Sequence, residues 1–262
     1  MAKAVYELNE QQKKELASIF GEGVNFKKKE RHFYTHDVGS LPSVVKTFLG
    51  KTEPAAIVKV RNEEQAAKLM EFARKYDIAI VPRAGASSGY GGVIPTKGGI
   101  IADVTPMRKI INVDKENMKV TVGAGIVWEK LETKLNKEGL AVQAVPSSAL
   151  SATVGGWLAQ NGLGYGSYEY GWSQDTMESA RIVLPNGEIR EFKEDELQKL
   201  VGTMGTIGII TEVTLKVRKL EKTQQFLQSS LMPVACKKPS SLWESVRYPS
   251  GQYHSLIQNG HR

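Results

Sequence analysis

The chain has 262 residues, with 35 Lys and Arg against 28 Asp and Glu for a net charge of +7, and 41% hydrophobic residues. That length allows one or two domains with a proper core, while no apolar run approaches the roughly 20 residues of a membrane span. A single cysteine, Cys236, excludes an internal disulfide framework and a Cys-based zinc site. Basic residues are scattered apart from one short cluster, Phe26–Tyr34, so nucleic acid is not an expected partner. The surplus of cations still suits anionic ligands, a partner subunit or peripheral contact with an acidic membrane surface. The stretch Met1–Phe20 carries acids and lacks an apolar export segment, which makes the cytoplasm the expected compartment.

Asn9 to Phe20 reads as a helix, with Asn9 as its cap, Leu16, Ile19 and Phe20 on one face, and Gly21 as its stop. A second helix follows Asn62, an N-cap with Gln65 three residues on and an apolar stripe of Ala66, Leu69, Met70 and Ala73. Ile78–Pro82 then reads as a short buried strand that runs straight into "VPRAGASSGYGG", Val81–Gly92, which holds four glycines, two alanines, two serines and no lysine. "GIIADVTPM" and "MKVTVGAG" read as further strands, and a helix starts near Val127 and ends at Gly139. "ARIVLPNGEIREF" predicts a hairpin turning at Asn186-Gly187. "ELQKL" predicts a helical turn, and "GTIGIITEVTLKV" a long strand. After Lys222 the sequence is rich in Ser and Gln with no sustained period, and reads as a tail or linker.

The glycine-rich stretch is not a P-loop, because the lysine of G-x-x-x-x-G-K-[ST] is missing, and its spacing does not fit G-x-G-x-x-G opening a helix. Consecutive amides freed of bulky side chains form an anion nest, and Ser87 and Ser88 add hydroxyl donors, so a diphosphate held by backbone fits. Two further small-residue segments, Val145–Gly171 and Gly202–Val217, suggest one large ligand touching the backbone at several points.

Together, "PRAGASSGYGG", "PSSALSATVGGWLAQNGLG", "YGWSQDTMESARIVLPNGEI" and "GTIGIITEVTLKV" resemble the FAD-binding domain of the vanillyl-alcohol oxidase / p-cresol methylhydroxylase (PCMH) family. The branch they resemble is that of the FAD-linked oxidases, with D-lactate dehydrogenases and glycolate oxidase flavin subunits. The likeness runs from about Phe20 to Val217. It implies an α+β fold of PCMH type, in which a small, largely parallel sheet (about 22–105) and an antiparallel sheet with flanking helices (about 106–220) hold FAD between them. An N-terminal helix (1–21) precedes that domain (22–220) and a tail (221–262) follows it.

Carried over residue by residue, the resemblance implies that Arg83, Ala84, Gly85, Ala86, Ser87, Ser88, Gly91 and Gly92 wrap the diphosphate. Pro146, Ser147, Thr153, Gly155 and Gly156 would line the pyrophosphate and flavin side, Asn161 and Gly162 would pass near the ring, and Ile209 and Ile210 would offer backbone contacts. The chain departs from the pattern at Ala84 and Ala86 (glycine in the family), at Trp157 (asparagine), and in "NGLG" for "NAGG". Some members attach flavin covalently through His or Cys. Here Ser87 stands where such a His could sit, so the expected FAD is non-covalent.

Other polar residues have bland readings. His32 and His36 have helical spacing, but the Glu of H-E-x-x-H and a third ligand are missing, so no metal is expected. Asp175 suits capping as well as catalysis, the aromatic cluster Tyr165, Tyr168, Tyr170 and Trp172 suits packing as well as a ligand, and Arg108 and Lys109 suit a solvated turn or an acidic substrate. In the family a C-terminal cap domain supplies the substrate-binding residues, and no catalytic base can be named here. Two expectations follow: a flavin subunit or module of a 2-hydroxy-acid oxidoreductase, completed by a second subunit or a further copy, or a non-catalytic or truncated FAD-binding domain whose tail arose by a frame change near Gln228.

Overall fold

The computed structural model of the protein describes residues 4–39 and 42–221. The tail and Cys236 therefore lie outside the described residues, apart from Glu221.

Helix α1 (Glu10–Phe20) begins at Asn9, whose side chain accepts from the Gln12 amide while the Gln12 side chain accepts from the Asn9 amide. This reciprocal cap satisfies two of the helix's orphan donors, and the helix buries Leu16 and Phe20. After the two-residue strand β1 (Val24–Asn25) come two short helices, α2 (Lys28–His32) and α3 (Ser43–Leu49). Strand β2 (Ala56–Lys59) leads to α4 (Glu63–Tyr76), and β3 (Ile80–Arg83) and β4 (Ile100–Asp103) complete the first sheet. Its order is β1-β2-β4-β3, with β2, β4 and β3 parallel and β1 antiparallel at the edge. All four residues of β4 are buried, as expected for the middle of a sheet covered on both faces.

The second sheet is antiparallel and contains six strands. Strands β5 (Ile110–Asp114) and β6 (Lys119–Gly123) form a hairpin; α5 (Trp128–Asn136) and β7 (Leu140–Val142) follow. Two short helices, α6 (Val154–Gln160) and α7 (Ser167–Tyr170), precede β8 (Met177–Val183), β9 (Ile189–Lys193) and β10 (Ile209–Lys219). A 3-10 segment, Glu194–Lys199, stands where "ELQKL" predicts a helical turn. The order is β5-β6-β10-β8-β9, with β7 also on β10. Val213, Leu215 and Val217 alternate inward along β10, the two-residue period of a sheet with one covered face.

The hairpin between β8 and β9 turns differently from the simplest expectation. Leu184 N donates to Glu188 O and Gly187 N to Leu184 O. Pro185 and Asn186 are thus the central turn residues, and Gly187 (φ 86°) takes the left-handed position after them.

Each sheet has its own core. Around α5 and α6, Trp128, Leu131, Leu158 and Ile182 are buried; beneath α1 and α4, Leu16, Val58, Leu69 and Ile100 are buried. Val183 and Ile209 of the antiparallel sheet belong to the second of these cores, which locks the two sheets together. Glu63, the first residue of α4, accepts from Arg181 Nε (2.9 Å) and Nη2 (2.6 Å) on β8 and from Thr211 Oγ1 (2.7 Å) on β10. Thr211 sits at a β-bulge, the register shifting between Ile210 and Glu212, which frees its side chain to reach across.

Candidate functional site

The chain leaves β3 at its C-terminal end and enters the glycine-rich loop, and it leaves β4 beside it. This is where open sheets with parallel strands receive ligands. A cavity open to solvent lies there between the two sheets. The loop residues Arg83–Ser88 and Gly92 form one wall, Thr153, Gly155, Gly156 and Trp157 of the α6 segment a second, and Met204, Gly205, Gly208 and Ile210 a third. Three segments distant in sequence therefore converge.

The amides of Gly85 through Tyr90 donate to no protein acceptor among the described residues. Backbone donors without partners call for a ligand or water, and a run of them is the nest an anion needs. Thr153 adds a hydroxyl. It is 3% exposed and occupies the N-cap position of α6, yet its side chain makes no capping bond and Oγ1 has no partner. Among the described residues, Arg83 is the only charged side chain lining the cavity; its Nη1 donates to His36 O (2.8 Å) and its guanidinium lies 5.0 Å over the Tyr34 ring. Burial pulls its pKa down, and the neighbouring Tyr34, Asp103 and Asp37 oppose that shift. Asp103 in turn accepts from Tyr34 Oη (2.9 Å) and from Thr105 N and Oγ1. Burial and that carboxylate push the Tyr34 phenol far above its ordinary range.

A long, phosphate-bearing, neutral-bodied ligand fits these walls. Unpaired amides are donors of the kind a diphosphate needs, and an apolar remainder suits the packing of rings.

The residues matched by the family profile described as FAD binding domain are 54–193, which include strands of both sheets, though not β1 or β10, and two of the three walls. The chain belongs to this family. Its cofactor is FAD. Among similar proteins, the alkyldihydroxyacetonephosphate synthase of Dictyostelium discoideum is 33% identical over 159 residues, 58% of this chain and 26% of the relative. The D-lactate dehydrogenase of Anaerostipes hadrus is 31% identical over 156 residues, 60% of this chain and 31% of the relative. A solved alkyldihydroxyacetonephosphate synthase superposes with a TM-score of 0.74 at 30% identity, covering 82% of this chain and 44% of its own. The FAD-binding domain thus spans under a third of the length of these two curated relatives. The 6-hydroxy-D-nicotine oxidase of Arthrobacter nicotinovorans shares the fold, with a TM-score of 0.62 at 20% identity. The PCMH-type arrangement implied by the sequence motifs is the one observed.

The predicted site residues divide. Arg83, Ala84, Gly85, Ala86, Ser87, Ser88, Gly92, Thr153, Gly155, Gly156 and Ile210 line the cavity. Gly91, Pro146, Ser147, Asn161, Gly162 and Ile209 do not. Ile209 is fully buried in the core under α4, Pro146 lies in the segment bridged to Tyr165, and Gly162 backs the Trp157 indole. Several glycines also serve the protein itself. A Cβ on Gly85 would overlap the Ser151 carbonyl, and one on Gly155 would lie 2.6 Å from the Ala124 methyl. Met204, Gly205 and Gly208, not singled out individually but part of the small-residue segment Gly202–Val217, also line the cavity.

Of the bland readings, Asp175 caps: its Oδ2 accepts from Trp172 N (2.8 Å). His32 and His36 are exposed, and no group of three metal-ligating side chains stands together among the described residues. Tyr168 and Trp172 are exposed away from the cavity. Arg108 lines an adjacent groove with Lys130, Lys134 and Lys137, and none of the four has an ion-pair partner among the described residues. That groove shares Gly85 and Thr153 with the cofactor cavity. No helix among the described residues is long and apolar enough to cross a membrane.

Proposed function

We propose that this chain is the flavin-holding part of an FAD-dependent oxidoreductase acting on a 2-hydroxy acid of the D-lactate or glycolate type. The observation that carries this reading is the cavity between the two sheets, lined by Gly85–Ser88, whose amides have no protein acceptor among the described residues, with the buried, unpartnered Thr153 beside them. Arg83, Ala84, Gly85, Ala86, Ser87, Ser88, Gly91 and Gly92 surround the diphosphate. Pro146, Ser147, Thr153, Gly155, Gly156, Asn161, Gly162, Ile209 and Ile210 shape the flavin side, those outside the cavity wall acting by holding that wall in place. FAD is held non-covalently in this reading, Ser87 standing where a covalent histidine would be.

The substrate class is supported by two features. Relatives include a D-lactate dehydrogenase and a glycolate oxidase subunit of Bacillus subtilis, 29% identical over 136 residues. The groove beside the cavity, with Arg108, Lys130, Lys134 and Lys137 against Glu129, carries a surplus of positive charge that suits an anionic substrate. Bound flavin supplies the two-electron acceptor for the substrate's α-hydrogen. Among the described residues no Asp, Glu, His or Lys lines the cavity; in this reading the proton acceptor comes from another segment or subunit, and the domain boundaries near 22, 105 and 220 mark the flavin module.

A second reading, a non-catalytic flavin-binding module, is favoured by this same lack of a general base. Anaerobic addition of D-lactate or glycolate to the FAD-loaded chain separates the two: bleaching of the flavin band supports the oxidoreductase, and no bleaching by either acid, alone or with added partner, supports the module. Colour that stays with acid-precipitated protein contradicts non-covalent binding.

A further inference from the structure

The segment His36–Gly39 runs behind the glycine-rich loop and meets it at four points. Arg83 Nη1 donates to His36 O (2.8 Å), Gly91 N to Asp37 Oδ2 (2.7 Å), and Val38 N to Ala86 O (3.2 Å). Gly39 approaches Gly89 so closely that a Cβ on it would lie 2.7 Å from the Gly89 Cα. Within this strap Asp37 is 6% exposed, whereas Val38 beside it is 73% exposed.

A carboxylate that far from water is unfavourable unless hydrogen bonds hold it. Among the described residues Asp37 has two: Oδ1 accepts from Gly39 N (2.9 Å) and Oδ2 from Gly91 N. One bond closes the strap on itself and the other ties it to the far end of the loop. Neither sheet takes part in them. The carboxylate is therefore spent on the shape of the loop.

That shape needs holding. Ala86 has φ 49°, a left-handed conformation that a side chain disfavours and that persists only where surroundings impose it. The Val38 amide engages the Ala86 carbonyl, and Asp37 takes the amide of Gly91. Between these anchors, the amides of Gly85 through Tyr90 are left for the ligand. The charge of Arg83 is tethered to the strap and faces Asp37 and Asp103.

We propose that Asp37 is a positioning residue for FAD, fixing the glycine-rich loop from behind in the form that presents its amides to the diphosphate. The inference rests on the loop being the diphosphate site, and its test separates the two. Deflavinated wild type, Asp37→Asn and Asp37→Ala are titrated with FAD, with ADP and with riboflavin, which lacks the diphosphate, at a temperature where circular dichroism shows each to be folded.

The alanine variant leaves the Gly91 and Gly39 amides without their acceptor and is expected to weaken FAD and ADP about tenfold or more. Asparagine keeps one acceptor oxygen and falls between. Riboflavin affinity stays within about twofold of wild type. A residue that only stabilised the fold would lower the melting temperature and leave these affinities unmoved. If alanine does not fold, asparagine decides. FAD and ADP affinities in the variants within about twofold of wild type overturn the inference while leaving the cofactor site standing. Failure of the wild type to bind FAD or ADP overturns both.

Discussion

Trp157 and Gly162 show how two departures from a family pattern can compensate. The pattern has asparagine at the first position and alanine at the second. Here the Trp157 indole, 4% exposed and edge-on to Trp128 at 5.0 Å, fills the space that an alanine methyl at 162 would occupy. We expect Gly162→Ala to destabilise the fold by about 1–3 kcal/mol through overpacking, measured by denaturant unfolding, and Gly162→Ala with Trp157→Phe to recover part of that loss. At Ala86 the methyl already sits in a left-handed conformation. Ala86→Val adds β-branching there and is expected to cost about 1–2 kcal/mol, whereas Ala86→Gly leaves stability within about 1 kcal/mol of wild type because relief of strain is offset by chain entropy. The run of small residues is legible in the sequence as a backbone-exposing motif. What is not legible is that Gly85, Gly155 and Gly162 are also required by neighbouring protein atoms, since close approach between distant segments leaves no mark on local composition.

Elements with their own caps and stripes are readable without coordinates: Asn9 and Asn62 cap α1 and α4 as their spacing predicts. Helix α6 is not, because "VGGWLAQ" contains two glycines that lower helix propensity, and its helicity comes from packing against Trp128 and β10. Strands β1 and β7, two and three residues long, are too short to carry a period. The bridge between sheets is equally silent in sequence, since Glu63, Arg181 and Thr211 lie far apart in the chain. The Arg181 guanidinium, chiefly through its hydrogen bonds, holds the Glu63 carboxyl below its usual range. A carboxylate with a depressed folded pKa contributes stability above its unfolded value, about 4.3, and loses it as pH falls through the folded value. Glu63→Gln is therefore expected to cost about 1–2 kcal/mol at pH 7, and the gap from wild type to close as pH drops below about 4. A gap that persists unchanged at acid pH would contradict the ion-pair account. Thermal melts of both proteins across that range provide the comparison.

At the scale of the whole molecule, two sheets with separate cores are joined by Val183, Ile209 and the Glu63 bridge on one side, and leave a cavity on the other. The division into a parallel and an antiparallel sheet is implied by the resemblance of the motifs, and the third wall at Met204–Gly208 lies in the small-residue segment Gly202–Val217, whereas the order of strands within each sheet and the strap through Asp37 emerge only from the fold. The account stands on the amides of Gly85–Tyr90 being the donors that FAD engages. Amide proton and nitrogen chemical shifts of the deflavinated chain, followed by nuclear magnetic resonance as FAD is added, test this most directly. The amides of Gly85–Tyr90 are predicted to move in step with flavin binding and to move again with ADP alone; binding of FAD that leaves those amides in place would contradict it.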